Sequence, residues 1–214
     1  KTTAEYDGID TEDFFDVELV SGKEGNIKIK GEENLLDLIH VEVNNNILEI
    51  SIDQKKQSEL RNNKDIFIIE PTKKIVVTVP FDKISTIESS GSGDIYTQNK
   101  ISGSSLELEL SGSGNMKIDT DAAKVTASLS GSAGIILSGK TGILDLDVSG
   151  TGYIDSENLL ARNAEAEVSG RGNIKVNCTG KLSATVSGKG NIQYKGKPAS
   201  VDKEVNNWGS ITSY

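Results

Sequence analysis

The sequence predicts an all-β protein: a right-handed parallel β-helix, or β-solenoid, with ~20-residue coils marked by SGxG[DN]I corners and a β segment capping its amino-terminal end. Three observations carry this. A hexapeptide recurs six times in the second half of the chain, each copy is flanked by alternating apolar residues, and the composition favours turns, with 22 glycines, 3 prolines and 5% aromatics in 214 residues. Short strands joined by many corners need glycine more than they need bulky aromatics.

Taken in order, the first 88 residues lack the repeat but still read as β. Gly25 to Lys30 (GNIKIK) alternates, and Asn34 to Ile39 (NLLDLI) reads as a single helical turn. Val41 to Val43 leads through Asn44, Asn45 and Asn46 into Ile47 to Ile52, a hairpin signal with turn-prone asparagines. The polar run from Asp53 to Asp65 reads as a solvated loop. Strand patterns resume at Ile66 to Ile69 and Ile75 to Val79, the second ended by Pro80.

The repeat then begins. SGSGDI (Ser90 to Ile95) returns as SGSGNM (Ser111 to Met116), SGSAGI (Ser130 to Ile135), SGTGYI (Ser149 to Ile154), SGRGNI (Ser169 to Ile174) and SGKGNI (Ser187 to Ile192), the leading serines stepping by 21, 19, 19, 20 and 18 residues. A strand precedes each later corner, with inward positions such as Leu106, Leu108 and Leu110, then Val125, Ala127 and Leu129, then Leu144, Leu146 and Val148. Ala164, Ala166 and Val168, then Leu182, Ala184 and Val186, continue the series. A second strand opens after each corner with Ile95, Met116, Ile135, Ile154, Ile174 or Ile192. Stacking such coils buries a seam of like residues that no single repeat could close.

The corner glycines predict φ > 0 or close backbone approach, and Asp94, Asn115, Asn173 and Asn191 behind them suit left-handed conformations and local backbone bonds. Two copies depart from the pattern. SGSAGI carries an extra residue between its glycines, predicting a distorted corner at Ala133, and SGTGYI puts Tyr153 where Asp or Asn is usual. The organisation that follows is an amino-terminal β segment over 1–88, a repeat solenoid over 89–196 and a carboxy-terminal cap over 197–214 containing Trp208, all in one continuous domain.

Bulk chemistry narrows the function. A net charge of -9, with 32 acidic and 23 basic residues, repels phosphate backbones, so nucleic acid is not the expected partner. Cys178 is the single cysteine, so an internal disulfide is impossible, and it reads as a small buried hydrophobe. No run of ~18 apolar residues predicts a transmembrane segment. The start at Lys1 without an apolar leader reads as a mature segment whose targeting signal has been removed.

Site chemistry is sparse. The GSG corners lead into β alternation rather than a helix, against a P-loop or dinucleotide fingerprint, and Asp94 alone fills the slot that a calcium-binding β-roll needs acidic in every repeat. His40 is the single histidine and, in the apolar stretch Leu38 to Val43, reads as structural. Asp119, Asp121, Asp145, Asp147, Asp155 and Glu157 are the carboxylates that a polysaccharide-cleaving β-helix could use, and their simpler reading is solvent-facing strand positions. Glu107 and Glu109, alternating with leucines, and Glu165 and Glu167, alternating with alanines, predict an acidic outer face. Asn177-Cys178-Thr179 matches a glycosylation sequon by coincidence of a strand sequence. No catalytic, cofactor or metal residue is assigned, and the ligand-binding residues are left open.

The repeated corners, with strands such as LELELSGSGNMKI and AEAEVSGRGNIKV, and the lead-in FDVELVSGKEGNIKIKGEENLLDLIHVEVNNNILEISI resemble the putative auto-transporter adhesin head domain family, from about Phe14 to Tyr194. The resemblance implies a β-helical bacterial protein of the Bacteroidetes type, periplasmic, attached to the outer membrane or secreted. Read together, residues and resemblance predict a non-enzymatic extracytoplasmic adhesion or binding module of the cell envelope, with glycans or cell-surface and extracellular proteins as partners. The alternatives are a carbohydrate-active β-helix enzyme, a polysaccharide lyase or hydrolase, and a structural envelope protein assembling end to end. Oligomeric state stays open.

Overall fold

The structure is a computed structural model describing residues 1–61, 71–206 and 208–214. It is an all-β solenoid of about 7 turns. The amino-terminal part contains β1 (Gly8–Thr11), β2 (Asp16–Ser21), β3 (Lys28–Lys30), α1 (Glu33–Leu36), β4 (Ile39–Asn44), β5 (Ile47–Ile52), α2 (Gln54–Arg61) and β6 (Val76–Phe81). The repeats supply β7 (Thr86–Ser89), β8 (Ile95–Thr97), β9 (Ser105–Leu110), β10 (Met116–Thr120), β11 (Lys124–Leu129), β12 (Gly134–Val148), β13 (Tyr153–Val168), β14 (Asn173–Cys178), β15 (Lys181–Val186) and β16 (Asn191–Lys195). β17 (Ser200–Val205) and β18 (Ser210–Ser213) follow.

These strands form two parallel stacks. The first runs β5, β1, β7, β9, β11, the later halves of β12 and β13, then β15 and β17. The second runs β6, β2, β8, β10, the earlier halves of β12 and β13, then β14, β16 and β18. The predicted inward residues all lie in the buried core, from Leu106, Leu108 and Leu110 through to Val186 and Ile192. Because parallel register places each residue over its counterpart one coil away, most inward side chains are covered by apolar ones of the neighbouring coils.

The amino-terminal strands depart from sequence order. β1 lies between β5 and β7, and β2 between β6 and β8, so the first coil of the chain is inserted beneath the repeats and above strands that come later. Beyond it, β4 closes antiparallel on β5 and β3 antiparallel on β6. The β4–β5 turn is the predicted hairpin: Asn45 and Asn46 hold φ of 51° and 65°, the paired left-handed conformation of a two-residue turn that matches strand twist.

Several expectations change. The polar run after Ile52 is in part helical, because the Asp53 carboxylate accepts the N–H groups of Lys55 and Lys56 at 3.0 and 3.1 Å and caps α2. Ile66 to Ile69 lies outside the described residues. Pro80 does not end its strand. β6 continues to Phe81 along β2, whereas β3 pairs β6 only as far as Thr78, so Pro80 sits where β6 has become an edge and its missing donor is tolerated.

The corners work by contact and not by left-handed conformation. Among the described residues the glycines with positive φ are Gly25, Gly139 and Gly196, none of them in an SGxG motif. A methyl placed on Gly112 would instead lie 1.8 Å from the Gly91 carbonyl oxygen, and one on Gly150 2.1 Å from that of Gly131. Coils therefore touch backbone to backbone at the corner, where a side chain has no room. The Asp and Asn positions likewise bond the neighbouring coil: the Asp94 carboxylate accepts the Asn115 N–H at 3.0 Å, and Asn115 Oδ1 accepts the Gly134 N–H at 3.0 Å.

No distortion occurs at Ala133. SGSAGI has no inserted residue; Ala133 occupies the second-glycine position and Gly134 the Asn position, and Met116 pairs with Ile135 without a register shift. The irregularity in this coil falls later, between Ile136 and Ser138.

Candidate functional site

The two stacks present different outer surfaces. On the first, outward positions two residues apart form columns along the axis, and the register aligns Glu49, Asp10, Glu88, Glu109, Ser128, Asp147 and Glu167 in one of them. Partial burial and then the neighbouring Glu49 raise the Asp10 carboxyl above its ordinary range. Glu88 is raised by burial and by Glu109, Asp10 and Glu107, and Asp147 by burial alone. A shallow cleft of about 400 Å³ runs along this column, edged by corner serines such as Ser111, Ser130 and Ser149. The predicted acidic outer face is therefore real, and Glu107, Glu109, Glu165 and Glu167 all point away from the core.

On the second stack the charges are balanced. Lys175 reaches Asp155 and Glu157 at 3.5 Å each, and Lys195 bonds Glu157 at 2.8 Å. The Lys195 contact holds the Glu157 carboxyl below its ordinary range, and Asp155 holds the Lys175 ammonium above its own.

Of the six carboxylates singled out in the sequence, five face lysines. Lys100 lies 3.9 Å from Asp119 and 3.1 Å from Asp121, and Lys124 lies 2.8 Å from Asp145. Asp119 belongs to β10 in the second stack and Asp145 to the later half of β12 in the first, so the structure does not bring them together. Asp147 alone stands in the acidic column.

His40 is not a core residue: its ring is 43% exposed and its Nε2 contacts Glu42 at 3.1 Å on the edge strand β4. Cys178 is fully buried, its thiol directed at the carbonyl oxygens of Arg162 and Lys181, and burial pushes the thiol pKa up. Asn177 donates its amide to the Glu157 carbonyl at 3.2 Å and is part of the wall. No group of three or more His, Cys, Asp or Glu side chains among the described residues is arranged to hold a metal ion. No helix among them is long and apolar enough to cross a membrane.

A second concavity, of about 550 Å³, opens on the second stack across four coils. One of its columns is Tyr153, Asn173, Asn191 and Ser210, and the next is Asp155, Lys175 and Gln193. The amides are tied across coils: Asn191 Nδ2 donates to Asn173 Oδ1 at 2.9 Å, and Ser210 Oγ bonds Asn191 Oδ1 at 2.7 Å. Tyr153 is 43% exposed, and its ring lies against Gly134, where a methyl group would come within 2.4 Å of the phenol Cζ. The two repeats that break the Asp/Asn rule thus break it together, the missing side chain of one making room for the ring of the other. The sequence signal was present in SGSAGI and SGTGYI, but only parallel register reveals that the two departures touch.

The family described as "Putative auto-transporter adhesin, head GIN domain" matches residues 5–198. Among solved structures, a putative adhesin from Bacteroides fragilis is 28% identical with a TM-score of 0.90, covering 100% of this chain and 94% of that one. A putative lipid binding protein from Parabacteroides distasonis (24% identical, TM-score 0.78) and a putative adhesin from Parabacteroides merdae (20%, 0.77) have the same coverage and share the fold. No curated protein matches the chain.

Proposed function

Because the chain belongs to the putative auto-transporter adhesin head GIN domain family, we propose that it is a non-enzymatic adhesion or binding module, working outside the cytoplasm at the bacterial cell envelope. The observation that carries this reading is the disposition of the carboxylates. Glycoside hydrolysis needs two of them across one bond, one protonated and one ionised, whereas Asp119 and Asp145 sit on different stacks, each beside a lysine. The carboxylates that do share a face, Asp10, Glu88, Glu109 and Asp147, stand in a single column on one sheet and not on two sides of a bond. What remains is a long rigid framework offering regular polar faces, which suits recognition by surface contact. Glycans and extracellular or cell-surface proteins are the partners such faces can engage.

The test is a binding array of glycans and matrix proteins probed with the purified chain, run beside a reducing-end assay on the same polysaccharides. Binding without cleavage supports the proposal. Cleavage abolished by Asp119→Asn or Asp145→Asn would replace it with an enzyme, and binding to nothing on the array would remove its basis.

A further inference from the structure

We infer that the groove between Tyr153 and Ser210 on the second stack is a saccharide-binding site, in which the Tyr153 ring stacks on a sugar and the Asn173, Asn191, Gln193 and Lys175 side chains bond its hydroxyls. This deepens the binding-module reading and rests on it.

A sugar ring has an apolar face of C–H groups and a rim of hydroxyls that both donate and accept hydrogen bonds. Its site therefore needs a flat apolar platform beside several polar groups of mixed donor and acceptor character. Tyr153 supplies the platform, an exposed ring held down on Gly134 so that little freedom is lost on stacking. Asn and Gln amides carry two donors and an acceptor each, and the bonds joining Asn173, Asn191 and Ser210 pre-orient two of them while leaving further capacity on each amide.

Charge sets the class. The groove holds one carboxylate, Asp155, and one ammonium, Lys175, paired 3.5 Å apart, so it has no net charge to attract an anionic or cationic ligand. The acidic cleft on the other stack would repel acidic sugars and proteins alike. A neutral oligosaccharide is the ligand that fits. Coils spaced ~4.8 Å apart repeat the column at roughly the length of one sugar ring, so a chain lying along the axis meets Tyr153, Asn173, Asn191 and Ser210 in turn.

The experiment uses the whole chain on an array of neutral oligosaccharides (gluco-, galacto-, manno- and xylo-configured) together with a panel of matrix proteins. Three variants are compared with the native sequence, Tyr153→Ala, Tyr153→Phe and Gln193→Ala, each first checked for an unchanged thermal melt. Saccharide binding weakened about tenfold or more by Tyr153→Ala, as for a central aromatic contact, retained by Tyr153→Phe and lowered by Gln193→Ala is the expected result. Saccharide binding that Tyr153→Ala leaves unchanged overturns the groove and leaves the binding-module reading standing, as does binding to proteins alone. No binding of either kind overturns both.

Discussion

Replacing Gly112 with alanine tests the physical basis of the repeat. The added methyl would come within 1.8 Å of the Gly91 carbonyl oxygen and 2.8 Å of the carbonyl carbons of Gly91 and Ser90. All three are backbone atoms of the neighbouring coil, so no rotamer change relieves the contact. Relief requires the two coils to separate by more than an ångström at that corner, which stretches the bond from the Ser113 N–H to the Gly91 carbonyl, now 3.0 Å. Overpacking of a well-fitted interior costs about 1–3 kcal/mol, and a backbone-on-backbone clash belongs at or above the top of that range. About 3 kcal/mol corresponds to a loss of roughly 6–12 °C in melting temperature for a chain of this size. Gly103→Ala is the matched control, since the nearest atom to its added methyl is 3.8 Å away, and it should melt within about 2 °C of the native chain. Circular dichroism at 218 nm, the ordinary β-sheet band, follows both variants. If Gly112→Ala melts like Gly103→Ala, close coil contact is not why the motif needs glycine, and the account of the corners is wrong.

Three further outcomes follow from the same framework. Asp10, Glu88 and Asp147 have folded-state pKa values raised above their unfolded ones, so the folded chain binds protons more tightly and stability rises as pH falls through those raised values toward the ordinary carboxylate range. The opposing loss at Glu32, Asp53, Asp94 and Glu157, whose pKa values are lowered, sets in as pH falls into the ordinary carboxylate range, about 4; a melting temperature that falls steadily from pH 7 to 5 would contradict this. Thr120→Val removes a buried hydroxyl that donates to the Ile101 carbonyl at 2.9 Å and accepts the Ala122 N–H at 3.1 Å. The Ile101 carbonyl keeps the Asp121 N–H at 2.9 Å, so the Ala122 N–H is the group that loses its partner, and urea titration should show a loss of about 1–3 kcal/mol. Cys178, fully buried with its thiol pKa raised, should resist iodoacetamide in the native chain and react fully in urea, as read by mass spectrometry.

The period-two alternation around each corner was enough to identify the core, because Leu106, Val125, Leu144, Ala164 and Leu182 occupy equivalent positions whether or not the neighbours are known. The β4–β5 hairpin was equally legible, since its asparagines specify the turn locally. α2 was missed because its start depends on one cap, Asp53, at the head of a run that otherwise reads only as polar. The insertion of β1 and β2 beneath the repeats was hidden as well: the corner they share with Ser90 to Asp94 is built from Asp13, Phe14 and Phe15 and carries none of the glycine motif.

By itself, then, the sequence determined the solenoid, its period, its buried columns and its acidic character, all of which are periodic and so written in every repeat. The tertiary structure alone decided what lies across from what. It showed that the corner glycines yield to the carbonyl of the next coil, that Asp119 and Asp145 face different ways, and that Tyr153 rests on Gly134. Those facts depend on register between strands about 20 residues apart, and backbone hydrogen bonds along a parallel stack set that register, not any signal within one repeat.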